Sequence, residues 1–314
     1  MKRTIEVSTA GTHLSIKHNC LILSSDREQV ASVPLEDLGT LILASQSLTV
    51  TSAVLGRLAE HGGITIVTGA DHQPEGTLLP LRAHSTRGER VRAQVSASRP
   101  LEKQLWARIV RAKIRNQAAL VPDGATRTRL EKLANSVRSG DPKNCEAQAA
   151  RSYWPLVFSE SHPTLNSEPF RRNRSGPWPN NLLNYGYAVL RAMTARAICA
   201  AGLLPELGIH HHSRYDPFAL ASDLMEPFRT WVDHRCLELA ADGPSELTRR
   251  EKQELLGVYD DPVMLDGQRT PLFVAVERAA SGLALAFVEC KTGTPALKAT
   301  ERLLLPSLPA DNAR

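Results

Sequence analysis

The chain has 314 residues, 42% of them hydrophobic, which is ample for globular cores and more than a single domain commonly holds. Five cysteines, Cys20, Cys145, Cys199, Cys236 and Cys290, are scattered without a CxxC pair. That spacing excludes a disulfide framework and points to buried apolar thiols in a reducing compartment. The net charge of +5 hides a local bias, because residues 82 to 139 carry fourteen Lys or Arg against four acids while the remainder is net negative. Such a stripe suits neutralisation of phosphates, although a solvated helix face has the same composition. No apolar leader follows Met1-Lys2-Arg3, since Glu6 and a Ser/Thr-rich stretch intervene, and the longest apolar run, around residues 186 to 209, contains Arg191 and Arg196. A cytoplasmic chain with no membrane span is the expectation.

Residues 1 to 82 read as β-rich. Short strands are expected at Thr4 to Ser8, His13 to Ile16, Leu21 to Leu23, Val30 to Val33 and Leu41 to Leu43, in a meander that turns at Lys17-His18-Asn19-Cys20. A helix from about Thr49 to Glu60 puts Val54, Leu55 and Leu58 on one face and stops at Gly62-Gly63, and strands at Ile64 to Val67 and Leu78 to Leu81 close the unit. It offers no nucleophile with a base and no phosphate-cradling loop, so its expected role is structural, including pairing with a second copy through sheet edges.

Residues 83 to 100 read as a linker and the start of a basic helix, and helical periodicity rules from Leu101 onward. Leu105, Trp106, Ile109, Val110 and Ile114 form one apolar stripe, and Leu130, Leu133 and Val137 another. A further helix is expected near Glu146, whose carboxylate would sit close to the helix N-terminus, where the dipole favours an anion and where capping is an equally good use for it. An irregular Gly/Pro stretch then carries Arg171, Arg172 and Arg174, candidate phosphate contacts together with Arg214.

The segment from Pro179 to Asp233 carries the densest set of candidates. An apolar helix with Leu182, Leu183, Tyr187, Leu190 and Met193 at helical spacing is broken by Gly202 and Pro205. His210, His211 and His212 follow, then a helix start at Pro217 and the acids Asp223 and Glu226, three apart and so expected on one helical face beside the core. Carboxylates held there need cations. Farther on, Thr248 and Glu251 form a capping-box pattern for a helix through Leu256, Leu272 to Val288 read as a buried helix, and the tail from Pro306 is expected to be loose. The fold class is therefore α+β in two domains, a small β-rich one (1–82) and a larger all-α one (101–314).

The blocks EAQAARSYW, RRNRSGPWPNNLLNYGYAVLRA, AAGLLPELGIHH and DLMEPFR, in this order, resemble the CRISPR-associated integrase family of spacer acquisition, of the kind found beside type II effector systems. The resemblance covers nearly the whole chain. It implies an N-terminal β-domain that dimerises and a helical catalytic domain. It also implies a homodimer that works with the small second CRISPR adaptation protein on double-stranded DNA, joining prespacer ends to the CRISPR repeat. Carried over by position, the metal-binding glutamate falls on Glu146, the histidine on His211 and the last acidic ligand on Glu226, with Asp223 as a neighbouring carboxylate ligand. A shift of one residue would move the imidazole to His210 or His212.

Two carboxylates and an imidazole drawn from separate helices suit Mg2+ or Mn2+ better than structural zinc. Such a site could direct a DNA 3′-hydroxyl, or water, at a phosphodiester without a protein nucleophile. A generic metal-dependent nuclease would use the same ligands without joining strands. A non-catalytic DNA-architectural protein would use the basic stripe alone.

Overall fold

The computed structural model describes residues 3–69, 74–80, 84–122, 124–158, 170–173, 176, 178–241, 243 and 247–309. The N-terminal strands form two sheets rather than one meander. The first has the order β1 (Arg3–Val7), β5 (Leu38–Leu43), β7 (Ile64–Thr68) and β8 (Pro74–Leu78), with β1–β5 and β5–β7 parallel and β7–β8 antiparallel. The second has the order β4 (Glu28–Pro34), β3 (Cys20–Ser25), β2 (His13–Lys17) and β6 (Thr49–Val50). Its two hairpins turn on His18-Asn19 and Asp26-Arg27, all with positive φ, the left-handed pairs that two-residue hairpin loops require. Residues 49–50 pair as β6 with β2, so helix α1 (Ser52–Glu60) begins later than the periodicity suggests. Val7, Leu14, Leu21, Leu38, Leu41, Val54 and Leu58 fill the core of this unit.

Within 84–100 lies helix α2 (Arg87–Val95), tied down by Gln94 Nε2 donating to the carbonyls of Leu204 (2.9 Å) and Leu207 (3.1 Å). Helices α3 (Arg99–Leu120), α4 (Ala125–Ser136), α5 (Cys145–Val157), α6 (Asn180–Ala200), α7 (Ala219–Leu224), α8 (Arg229–Ala241), α9 (Arg249–Leu256), α10 (Leu272–Lys291) and α11 (Ala296–Ala299) build the rest. One continuous apolar core runs through them, with α6 at its centre, buried nearly all round as its sequence requires. At Gly186 a Cβ would stand 2.4 Å from Val232 Cγ1, so only glycine lets α6 and α8 approach this closely. The Thr248–Glu251 capping box of α9 forms.

Two features depart from expectation here. A hairpin of β9 (Pro262–Leu265) and β10 (Gln268–Pro271) precedes α10. The tail, expected to be loose, is packed as far as it is described, for Ser307 exchanges two backbone hydrogen bonds of 2.9 Å with Met264. The β-rich and helical parts meet through Ile42, Ile64, Ile66 and Ala192, and through the Glu6 carboxylate, which accepts from Tyr185 Oη and pairs with Lys252 Nζ at 3.1 Å.

Candidate metal centre

Helix α5 delivers Glu146 in its first turn. Its N-terminus is capped by other groups: Asp141 accepts from the backbone N–H of Cys145 (2.9 Å) and Glu146 (3.0 Å), and the Asn144 side chain accepts from Ala147. The Glu146 carboxylate is therefore released from capping and faces Lys113 of α3, with Nζ 2.6 Å from Oε1. Glu226 approaches the same ammonium from the other side, its Oε2 also 2.6 Å from Nζ. Asp223 and Glu226 do not share one helix, because α7 ends at Leu224 and Glu226-Pro227-Phe228 form a 3-10 turn into α8. Arg229, the first residue of α8, pairs with Glu226 Oε1 at 2.9 Å and lies over the Tyr187 ring.

Charge balance follows from these contacts. Burial alone would raise the Glu226 carboxyl, but Arg229 and Lys113 outweigh it and hold the group below its ordinary value. Burial likewise opposes the charge on Lys113, and Glu226 and Glu146 overcome it, so the ammonium is held more firmly than usual.

The histidine loop is organised by Asp223. This carboxylate is fully buried, and it accepts from the backbone N–H of Ile209 (2.6 Å), His210 (2.8 Å) and His211 (3.2 Å) and from the His211 ring at Nδ1 (2.5 Å). Both oxygens accept from donors of the histidine loop, so Asp223, expected as a ligand beside Glu226, anchors that loop and orients the His211 ring through Nδ1, with Nε2 the ring's other nitrogen. The Asp223 hydrogen bond raises the His211 pKa against the opposing effect of burial, with Glu226 and Glu146 adding to the rise. His210 stacks on Trp106 of α3, ring centroids 4.1 Å apart and nearly parallel, while His211 meets the same indole edge-on. Gly208 closes the loop, since a Cβ there would fall 2.2 Å from the His211 carbonyl oxygen.

Beneath the carboxylates lies a second acid that sequence reasoning did not single out. Asp233 of α8 is buried and accepts from Tyr153 Oη (2.7 Å) and Tyr187 Oη; burial lifts its pKa to about 6 although both hydrogen bonds oppose the rise.

The expected phosphate contacts divide. Arg172 is engaged by its own chain, donating to Asn180 Oδ1 (3.0 Å) and Asn184 Oδ1 (2.6 Å), and so braces α6. Arg171 is exposed, Arg174 lies outside the described residues, and Arg214 is exposed over the Tyr215 ring. Much of the basic stripe also serves the fold: Arg90, Arg108 and Arg111 donate to the carbonyls of Ala201, Leu303 and Val137. By contrast, Arg129, Lys143 and Arg151 are exposed around a cavity of about 370 Å3 beside the N-terminus of α5, one turn from Glu146.

The family model for CRISPR associated protein Cas1 matches residues 5–259. The chain belongs to the Cas1 family. A CRISPR-associated endonuclease Cas1 from Neisseria meningitidis serogroup C (strain 8013) is 36% identical over 276 residues, which are 86% of this chain and 88% of that relative. Among solved structures, a casposase bound to integration product superposes with a TM-score of 0.77 at 20% identity, covering 94% of this chain and 93% of the other. A Cas6-RT-Cas1–Cas2 complex gives 0.74 at 21%, covering 93% of this chain and 35% of the longer one. At these identities the two structures speak for the fold, and the family membership makes the chain a metal-dependent enzyme of the Cas1 class.

Among the described residues, no group of three or more His, Cys, Asp or Glu side chains is set closely enough to hold a metal ion. Glu146 and Glu226 are brought together through Lys113, with the Asp223–His211 pair within electrostatic reach of both. The donors nonetheless fit a hard divalent cation: Glu146 and Glu226 each present one oxygen to the same point, 2.6 Å from Lys113 Nζ, and Glu226 is only 5% exposed. Carboxylates gathered at such a point are costly without a positive charge between them. Among the described residues no helix is long and apolar enough to cross a membrane.

Proposed function

We propose that this chain is a metal-dependent DNA endonuclease and integrase of CRISPR adaptation, which joins the 3′-OH ends of short duplex DNA to the repeat array by transesterification. Family membership carries the reaction class. The observation that carries the site is the convergence of Glu146 and Glu226 on one cation, next to an imidazole oriented by a buried carboxylate. Glu146, Glu226 and His211 would hold Mg2+ or Mn2+, and Asp223 would act through His211. When bound, the ion supplies Lewis acidity at the scissile phosphodiester.

The remaining work falls to the chain's own groups. Arg229, anchored on Tyr187, places a fixed positive charge beside Glu226, where it can offset charge that develops on the reacting phosphate. Asp223 keeps the proton of the His211 ring at Nδ1, so that Nε2 stays basic. In the reaction the donor 3′-oxygen forms a bond to phosphorus, the bond from phosphorus to the target strand's 3′-oxygen breaks, and the proton lost by the nucleophile is balanced by one gained at the leaving oxygen. Arg129, Lys143, Arg151 and Arg171 are the cations that would follow the DNA backbone.

The same reading assigns residues 1–82 to dimerisation and 101–314 to catalysis. It expects a cytoplasmic homodimer working with the small second adaptation protein on prespacer and repeat DNA. The test is strand transfer of a labelled short duplex into supercoiled plasmid, with that partner protein present, in Mg2+, Mn2+ or EDTA. Metal-dependent joined product that disappears in His211→Ala and persists in His210→Ala supports the reading. Cleavage without joining would favour a plain nuclease, and DNA binding with no chemistry in any metal would leave an architectural role.

A further inference from the structure

Lys113 is the cation that the two carboxylates share. Its Nζ stands 2.6 Å from Glu146 Oε1 and 2.6 Å from Glu226 Oε2, and its side chain is only 12% exposed. It donates a hydrogen bond to Glu146 and meets Glu226 Oε2 equally closely. Arg229 already serves the other Glu226 oxygen. A divalent ion held by these carboxylates would need an oxygen of each at about 2.0–2.1 Å, the distance usual for Mg2+. An ammonium in contact with both oxygens fills that same space and carries the same sign of charge.

We propose that Lys113 is a built-in counter-cation of the metal centre, holding the Glu146–Glu226 pair together in the metal-free protein and giving up its place to the divalent ion. The proposal rests on the reading that Glu146 and Glu226 are metal ligands. It assigns Lys113 a positioning role that is distinct from DNA binding, although the residue belongs to the basic stripe. The two carboxylates, 5% and 26% exposed, both touch this one ammonium, whose charge offsets the repulsion between them. The ammonium therefore preserves the geometry of the site while no metal is bound, and the ion must displace it in order to enter. Apparent metal affinity is then reduced by the fraction of molecules in which Lys113 occupies the site.

The experiment uses the full-length protein and reads Mn2+ binding by titration calorimetry and thermal melting in EDTA or in saturating Mn2+. In Lys113→Met the competing charge is gone, so Mn2+ should bind about tenfold or more tightly if at most a tenth of wild-type molecules leave the site open. The same variant should melt below wild type in EDTA, and saturating Mn2+ should close the gap. Lys113→Arg keeps the charge and should show no gain in affinity. A folded Lys113→Met that binds Mn2+ no more tightly than wild type, or a melting deficit that Mn2+ leaves unchanged, would overturn the proposal.

A second readout needs no variant: reductive methylation of Lys113, followed by mass spectrometry, should speed up several-fold when Mn2+ is added to wild type. An unchanged rate again counts against displacement. Failure of the underlying ligand reading looks different, for then wild type would bind no Mn2+ that Glu146→Ala abolishes.

Discussion

Replacing Asp223 by Asn tests how the histidine loop is built. The carboxylate offers two acceptor oxygens, Oδ1 to the His211 backbone N–H and ring Nδ1, and Oδ2 to the N–H groups of Ile209 and His210. Asparagine has one acceptor, so its NH2 must face one of these pairs. If it faces the Ile209 and His210 amides, one buried and one half-buried donor lose their partner at ~1–3 kcal/mol each. If it faces Nδ1, the ring must accept there and carry its proton on Nε2, which removes the nitrogen a metal would use. The first outcome predicts a stability loss of roughly 2–6 kcal/mol, and the second a metal affinity lower by about 10–100-fold, the usual effect of disturbing a ligand's supporting carboxylate. Denaturant unfolding and Mn2+ titration of Asp223→Asn, His211→Ala and the double variant separate the two. Because Asp223 acts through His211, the double variant should bind Mn2+ no worse than His211→Ala alone. A further loss in the double variant would show that Asp223 ligates the ion directly and would refute the argument.

Asp233 predicts a pH effect on stability. Its folded pKa of about 6 lies above the ordinary 3.8, so between those values the native state keeps a proton that the unfolded chain has released. Its contribution is present below pH 3.8 and is lost as pH rises through about 6, a change on the order of 3 kcal/mol. Urea unfolding across that range should show wild type losing stability relative to Asp233→Asn, and parallel pH profiles would contradict the assignment. Gly208→Ala should cost about 1–3 kcal/mol by overpacking against the His211 carbonyl, with strand joining lost as well, whereas a fully active, equally stable variant would show the loop to be more accommodating. Arg172→Ala should lower melting temperature through its lost bonds to Asn180 and Asn184 while leaving the salt dependence of DNA binding intact. In Arg129→Ala with Arg151→Ala the slope of log K against log salt should fall by about 2, near one for each phosphate contact, with stability unchanged.

Much of this architecture was legible in the sequence because burial writes a period into it. The stripes of α3, α6 and α10 and the capping box of α9 were read within a few residues of their observed limits. Sheet partnership was not legible: β1 pairs with β5, more than thirty residues away, and nothing in either strand records its neighbour. Glu146, His211 and Glu226 were picked out by the order of the blocks around them. The roles of Lys113 and Asp223 were hidden for opposite reasons. Lys113 sits among other cations in a basic helix, so composition makes it look solvated, whereas Asp223 sits three residues before another acid and looks like its equal. Only the contacts show that Asp223 is engaged by donors of the histidine loop while Glu226 shares Lys113 with Glu146.

The site draws on three segments that fold separately in sequence, the start of α5, the histidine loop and the turn between α7 and α8. Such an assembly needs a rigid reference, and α3 supplies it. Trp106 stacks on His210, Lys113 lies two turns farther along between the carboxylates, and Asn116, one turn beyond that, donates to the carbonyls of Pro227 (2.8 Å) and Pro306 (3.1 Å). Spacings of seven and three residues put these side chains on one face, with the first two separated by about 10 Å of helix rise. The buried amide of Asn116 fixes the turn that carries Glu226, the indole fixes the loop that carries His211, and Lys113 holds Glu146. A straight, fully packed helix therefore sets the mutual positions of three candidate ligands, none of which it contributes itself.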